Sequence, residues 1–285
     1  MAVALITGAS TGIGRATALR LARSGWTVLA GVRETAAGAQ LAEEPGVAGR
    51  LIPLTLDVTN REHLAQAATR VKELSARDGA PSAGLDALIN NAGIGVGGPL
   101  ELVTPEDMSR QFEVNVLAQV AVTQAMLPAL RRARGRIVFI SSIGGRVAMA
   151  FTAPYAASKH AVEAIADALR VELASSHVQV TLIEPGSVAT PIWEKGRAEA
   201  ERLTVPPELQ AQYGQVAAAM DKVLEQTARR GIPPEEVAET IGRALTAPRM
   251  RARYVVGRDA RMMLMLRRLL PDRTWDRVAK RALGV

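Results

Sequence analysis

The chain has 285 residues, is 48% hydrophobic, carries a net charge of +7 and has no cysteine. That is enough apolar chain to bury one large α/β core, and the polar, charge-rich makeup of a disordered protein is absent. The lack of cysteine excludes disulfides, thiolate catalysis and cysteine-held metals, and fits a reducing cytoplasm.

From Met1 the chain runs directly into a strand pattern, with no basic leader and no small-residue cleavage site, so no signal peptide is read. No apolar stretch approaches the length of a membrane span. Strands are predicted at residues 3–7, 27–32, 50–57, 85–90, 136–141, 179–184 and 253–257. Helical patterns lie between them, near 12–24, 60–76, 105–132, 155–175 and 234–246. Apolar strands spaced by helices indicate a parallel sheet covered on both faces. Right-handed crossovers then make it a single doubly wound α/β domain of the Rossmann type, with about seven strands.

The first strand ends in Thr7-Gly8-Ala9-Ser10-Thr11-Gly12-Ile13-Gly14. Glycines between a strand and a helix let the backbone approach a pyrophosphate, and the helix N-terminus offers free N–H groups and the positive end of its dipole. The turn from Gly8 through Ser10, Gly12, Ile13 and Gly14 is therefore the candidate dinucleotide cradle. Taken alone, it also reads as a structural tight turn. The second strand closes in Gly31-Val32-Arg33-Glu34. There an acid repels a ribose 2′-phosphate and an arginine attracts it. Arg33 lies nearer the strand end than Glu34, which favours NADP(H) and leaves NAD(H) as the alternative cofactor.

Asp57 and Val58 close the third strand, where the carboxylate would either accept from an adenine amine or shape a turn, with Thr59-Asn60 as a helix cap. Asn90-Asn91-Ala92-Gly93 closes the fourth. Small residues there let a cofactor pass close over the sheet edge, and asparagine side chains tie down loop backbone.

Ser141-Ser142 follows the fifth strand, and Tyr155-Ala156-Ala157-Ser158-Lys159 opens the next helix. The i, i+4 spacing puts Tyr155 and Lys159 on one face. A phenol with a pKa of about 10 is a poor base, and a nearby ammonium is expected to lower it. Ser142 is placed to hydrogen-bond a substrate oxygen as charge develops on it. A Tyr-x-x-x-Lys pair alone is common on exposed helices. In order with Ser142 and the glycine turn, it becomes a site for interconverting an alcohol and a carbonyl.

No strand is predicted between Glu184 and Pro233. Pro185, Pro191, Pro206 and Pro207 interrupt this stretch, and a polar helical pattern follows near 208–229. Leaving the sheet at a strand's C-terminal end, the excursion at about 187–232 reads as a substrate lid rather than a surface helical hairpin. The expected pocket walls are residues 94–99, 143–151 and the excursion. They are mostly apolar (Val96, Ile143, Val147, Met149, Phe151, Ile192, Trp193), with Arg146 as a single polar contact. This favours a bulky, lipophilic alcohol or ketone.

From Arg249 to Val285 there are eleven basic and three acidic residues, against 24 and 25 in the rest of the chain. A near-neutral body with 3% aromatic residues supports no nucleic-acid partner. His63, His160 and His177 show no ligand spacing, so no metal site is read. Residues 259–285 form a basic extension beyond a domain of 1–258. It mixes Met262, Met263, Leu264, Leu266, Leu269, Leu270 and Trp275 with Arg267, Arg268, Arg273, Arg277, Lys280 and Arg281. A helix packed on its own domain or on a partner subunit is favoured over contact with an anionic membrane surface. A cytoplasmic homodimer or homotetramer, at most peripheral at a membrane, is expected.

The ordered set resembles the short-chain dehydrogenase/reductase family over nearly the whole chain. It comprises Thr-Gly-x-x-x-Gly-x-Gly at 7–14, Asp57, Asn-Asn-Ala-Gly at 90–93, Asn115, Ser142, Tyr155, Lys159, and Pro185-Gly186 leading to Thr190. The resemblance implies that Tyr155 is the general acid/base, that Ser142 positions substrate and that Lys159 also holds the nicotinamide ribose. It implies that Asn115 disturbs its helix and anchors a water in a proton relay. It also implies that the 186–190 segment, with Val188 and Thr190, meets the nicotinamide carboxamide. Arg33 and the 253–260 run resemble the NADP-linked members acting on steroids and retinoids. Two rivals stay open. An NAD-dependent or carrier-linked 3-oxoacyl reductase of the same family is disfavoured by the long excursion and tail. A silent dinucleotide-binding sensor or scaffold is disfavoured by the intact Ser142, Tyr155 and Lys159.

Overall fold

The computed structural model describes residues 2–77, 84–192, 205–213 and 231–283. Seven strands, β1 (Val3–Ile6), β2 (Thr27–Val32), β3 (Leu51–Thr55), β4 (Ala87–Asn90), β5 (Arg136–Ile140), β6 (Gln179–Pro185) and β7 (Arg253–Val256), make one parallel sheet in the order β3-β2-β1-β4-β5-β6-β7. Each predicted strand is present, most of them trimmed by a residue or two at an end.

Side-chain alternation sorts these strands into two apolar layers. Leu5, Leu29, Leu88, Ile137 and Leu182 face a core completed by α3 (Arg61–Arg77), α5 (Ala118–Ala133) and α6 (Ala153–Glu172). Ile6, Val28, Ile89, Val138 and Ile183 face a second core completed by α1 (Gly12–Arg23) and α7 (Pro234–Thr246). Burial on both faces is why these strands read as unbroken apolar runs. After β1 the chain turns one way across the sheet, and after β4 the other. Crevices at such a reversal, outside the strand C-termini, are where doubly wound sheets bind ligands.

The elements depart from expectation in several places. A short helix, α2 (Thr35–Ala42), follows β2; its sequence is alanine- and glycine-rich and lacks the apolar stripe that announces a helix. The single helix expected over 105–132 is α4 (Pro105–Phe112) and α5 joined through a π-helical turn, Glu113–Leu117. α6 starts at Ala153, with Pro154 in its first turn. Val188 forms a parallel bridge with Ile232, so the excursion returns to its own base. Most of the lid pattern, and Trp193, lie outside the described residues. Of the excursion, residues 205–213 hold a short 3-10 turn, Pro207–Leu209, and the Tyr213 hydroxyl donates to Glu101 Oε2 at 2.7 Å. The tail is two helices rather than one, α8 (Arg258–Leu269) and α9 (Asp272–Leu283). Pro271 separates them, because the residue before a proline avoids helical backbone. Among the described residues, no helix is long and apolar enough to cross a membrane.

Candidate active site

The strand C-termini open into a cleft of about 550 Å³. Gly8, Ser10, Gly12 and Ile13 line one end with Arg33, Asp57 and Val58; Ser142, Tyr155 and Lys159 line the other. Asn91, Ala92, Gly93, Pro185, Gly186, Val188 and Thr190 form the walls between. Gly14 and Asn115 stand just behind this surface.

The glycine turn is built by close approach. A Cβ on Gly14 would lie 2.2 Å from the Gly8 carbonyl oxygen and 2.5 Å from Asn91 Nδ2. Gly12 sits at φ +56°, and a Cβ there would meet the Thr190 methyl at 3.0 Å. Asn91 locks the turn to β4, since its Nδ2 donates to the carbonyls of Thr7 and Gly8 at 2.9 and 3.0 Å. The Thr7 hydroxyl accepts from the Asn91 and Ala92 amides. Free N–H groups of α1 and a backbone stripped of Cβ atoms make a cradle that suits a pyrophosphate.

Asp57 spends its Oδ1 on its own turn, accepting from the Thr59 amide at 2.9 Å and the Thr59 hydroxyl at 2.7 Å. The Thr59 amide bond leads in holding this carboxyl below its ordinary value, with Arg33 adding a favourable charge. The helix cap is Asn60, which accepts from the Glu62 and His63 amides.

At the other end, Lys159 is buried and donates from Nζ to the Ile140 carbonyl at 2.8 Å, with its ammonium 5.7 Å from the Tyr155 ring centroid. Burial pulls its pKa down to about 8, opposed by Glu163. Burial pushes the Tyr155 phenol above its ordinary value, opposed by a hydrogen bond from Ser142. This reverses the expected lowering. The ammonium meant to stabilise a phenolate is itself desolvated and bonded to a backbone carbonyl, so the phenol of the dinucleotide-free cleft keeps its proton. Ser142 Oγ also accepts from the Gly144 amide at 3.1 Å.

Behind the helix carrying this pair lies a fully enclosed polar knot. Asn115, in the π turn, grips residue 94 at both ends: its Oδ1 accepts from the Ile94 amide at 2.8 Å and its Nδ2 donates to the Ile94 carbonyl at 3.0 Å. Asn115 and Gln111 both donate to Ser158 Oγ, at 3.2 and 3.3 Å, and Ser158 donates to the Tyr155 carbonyl at 2.7 Å. Sequence does not single out Gln111 and Ser158, because a polar residue on an otherwise apolar helix face is the only signal they give.

A charged cluster also gathers around the buried carboxylates Glu163 and Glu184. Arg253 Nε lies 2.9 Å from Glu163 and 3.0 Å from Glu184, and its Nη2 lies 2.6 Å from Asp167. Arg146, expected at the substrate wall, instead reaches Glu184 at 3.2 Å. Burial, then the proximity of Glu163, pushes the Glu184 carboxyl up. Of the expected apolar walls, Ile94, Val96 and Ile192 line the cleft, joined by Val114; Ile143, Met149 and Phe151 do not line it, and Val147 is packed into the core.

A family model for the short chain dehydrogenase matches residues 2–201. NADPH-dependent 3-dehydrocapnine reductase of Ornithobacterium rhinotracheale is 34% identical over 283 residues, covering 98% of this chain and 96% of its own. Retinol dehydrogenase 5 of Mus musculus is 38% identical over 284 residues, covering 96% and 86%. A short chain dehydrogenase/reductase from Burkholderia phymatum, solved in complex with NAD, superposes with a TM-score of 0.78 at 26% identity over 94% of this chain and 92% of its own. The chain therefore belongs to the short-chain dehydrogenase/reductase family, as a Rossmann-fold, NAD(P)-binding oxidoreductase that acts on alcohol and carbonyl groups.

Proposed function

We propose that this protein is an NADP(H)-dependent oxidoreductase interconverting a bulky lipophilic alcohol and its ketone or aldehyde. The observation that carries the reading is the single cleft with a Cβ-free pyrophosphate cradle and Arg33 at one end and Ser142, Tyr155 and Lys159 at the other.

Gly8, Gly12, Gly14 and the α1 N-terminus would hold the dinucleotide pyrophosphate, with Asn91–Gly93 and Pro185–Thr190 flanking its path. A bound nicotinamide supplies or accepts the hydride. Tyr155 Oη holds the proton that the substrate oxygen gains on reduction and loses on oxidation. Its raised pKa keeps that proton in place until charge develops on the substrate. Ser142 donates to the same oxygen, and Lys159, beside the Tyr155 ring, would hold the nicotinamide ribose hydroxyls. Asn115 and Gln111 act through Ser158, which fixes the helical turn that presents Tyr155.

Arg33 lines the cleft, and Glu34 occupies the cap position of α2 without bonding that helix through its side chain. This supports the phosphorylated dinucleotide, as does the NADPH dependence of the 3-dehydrocapnine reductase relative. A panel of steroid, retinoid and aliphatic ketones, followed by NADPH absorbance, tests the reading. Turnover is expected with NADPH in preference to NADH, and Arg33→Ala should weaken NADPH about tenfold while leaving NADH nearly unchanged. Equal use of both cofactors by the unsubstituted protein would remove the preference.

The lipophilic substrate class is supported by Ile94, Val96, Val114 and Ile192 in the cleft lining and by retinol dehydrogenase 5 among the relatives. The tail extends this reading. α8 packs Ala260 inward and leaves Met262, Met265 and Leu269 exposed beside Arg258, Arg261 and Arg268. This exposed face fits a partner subunit, the favoured reading, and its three cations would also suit an anionic lipid surface. The protein should co-sediment with phosphatidylglycerol vesicles more than with phosphatidylcholine vesicles. Serine at 262, 265 and 269 should abolish that difference, and its persistence would discard the contact.

A further inference from the structure

The C-terminal extension reaches back to the cleft through one carboxylate. β7 ends at Val256, Gly257 takes φ +104°, and α8 begins at Arg258. This turn sets Asp259, in the first turn of α8, against the end of β6. Asp259 Oδ2 accepts from the Ser187 amide at 2.8 Å, while the Gly186 amide donates to the Val256 carbonyl at 2.9 Å. The notch fits the carboxylate closely. A Cβ on Gly186 would lie 2.5 Å from both Asp259 oxygens, and one on Gly257 would lie 2.5 Å from Oδ1. Two glycines thus leave space that a carboxylate fills.

The same segment is held on its other side by Ile232, whose amide donates to the Ser187 carbonyl at 2.9 Å and whose carbonyl accepts from Ala189 at 3.0 Å. Backbone groups of residues 186–189 are therefore engaged by the fold, while Pro185, Gly186, Val188 and Thr190 line the cleft. A strand-end loop without such ties is among the most mobile parts of a domain. The bond that Asp259 accepts from the Ser187 amide is charge-assisted, which makes it stronger than a neutral one.

We propose that Asp259 is a positioning residue for the dinucleotide. It holds Gly186 and Ser187 in the shape that meets the cofactor, so the C-terminal extension sets cofactor affinity. This rests on the reading of the cleft as a dinucleotide site, and the experiment separates the two.

In full-length protein without dinucleotide, hydrogen exchange in the 183–190 segment should be faster in Asp259→Ala than in the parent. It should stay near the parent rate in Asp259→Asn, which keeps an acceptor oxygen. NADPH, titrated by its fluorescence, should bind Asp259→Ala about tenfold more weakly. The KM for NADPH should rise more than kcat falls, and the KM for the carbonyl substrate should not move. Arg273→Ala, exposed on α9, should change none of these. Should Asp259→Ala fail to fold, Asp259→Ser carries the same expectation, because its shorter side chain leaves the Ser187 amide unmet. Parent-like exchange and affinity in the alanine or serine variant would overturn the proposal. So would an asparagine variant as impaired as alanine with an equally lowered melting temperature, since that marks a purely structural role. Failure of the parent to bind either NADPH or NADH would overturn the dinucleotide reading, and this inference with it.

Discussion

Tyr155→Phe should bind NADPH with unchanged affinity and turn over about 10² to 10⁴ times more slowly. The substitution keeps the ring, and with it the packing beside Gly144, whose Cβ position lies 3.2 Å from Tyr155 Cε1. It removes only the hydroxyl that Ser142 meets. The cradle at Gly8–Gly14 is untouched, so binding and chemistry should separate cleanly. Single-turnover rates beside a fluorescence titration measure both. A kcat within about tenfold of the parent would mean that another group moves the proton.

Lys159→Met should give a dead enzyme that is more stable than the parent at neutral pH. The folded protein lowers the Lys159 pKa from 10.5 to about 8. At about 1.4 kcal/mol per unit, keeping this ammonium buried costs roughly 3 kcal/mol below pH 8. Losing the bond to the Ile140 carbonyl costs about 1 kcal/mol, so the net gain from Met is about 2 kcal/mol, or about 3 °C for a domain of this size. The pH dependence has a definite sign. Between about pH 8 and 10.5 the unfolded chain holds more protons on this lysine than the folded one. Parental stability therefore rises through that window, and the advantage of Lys159→Met shrinks. Melting curves of dinucleotide-free protein at pH 7 and pH 10 test this. A variant no more stable than the parent at pH 7 would refute it.

Much of this molecule is legible in its sequence because the informative residues are local. Strands such as Val28–Gly31 and Ile137–Ile140 are buried on both faces, so composition alone marks them. The glycine turn and the Tyr155–Lys159 spacing are likewise contained within one turn or one helix. What sequence does not reveal is how distant segments close on each other. Asn115 and Ser158 are 43 residues apart, and Asp259 and Ser187 are 72 apart, yet each pair shares a hydrogen bond. Glu184 left a trace, as an ionisable residue in an otherwise apolar strand, but its partner Arg253 comes from the neighbouring strand. The direction of the phenol's pKa shift is hidden from sequence for a related reason. Spacing shows that Lys159 is near Tyr155, but not that both are taken out of water, which penalises each charge.

The π turn at Glu113–Leu117 amounts to one extra residue threaded into a long helix. It shifts the angular phase of everything after it by about 100°. In that phase Gln119 Nε2 donates to the Ala92 carbonyl at 3.0 Å and Thr123 Oγ1 accepts from Asn90 Nδ2 at 2.8 Å. Those contacts hold the floor of the cleft beneath residues 90–92. One added residue thus sets the rotational register on which the middle of the sheet edge depends.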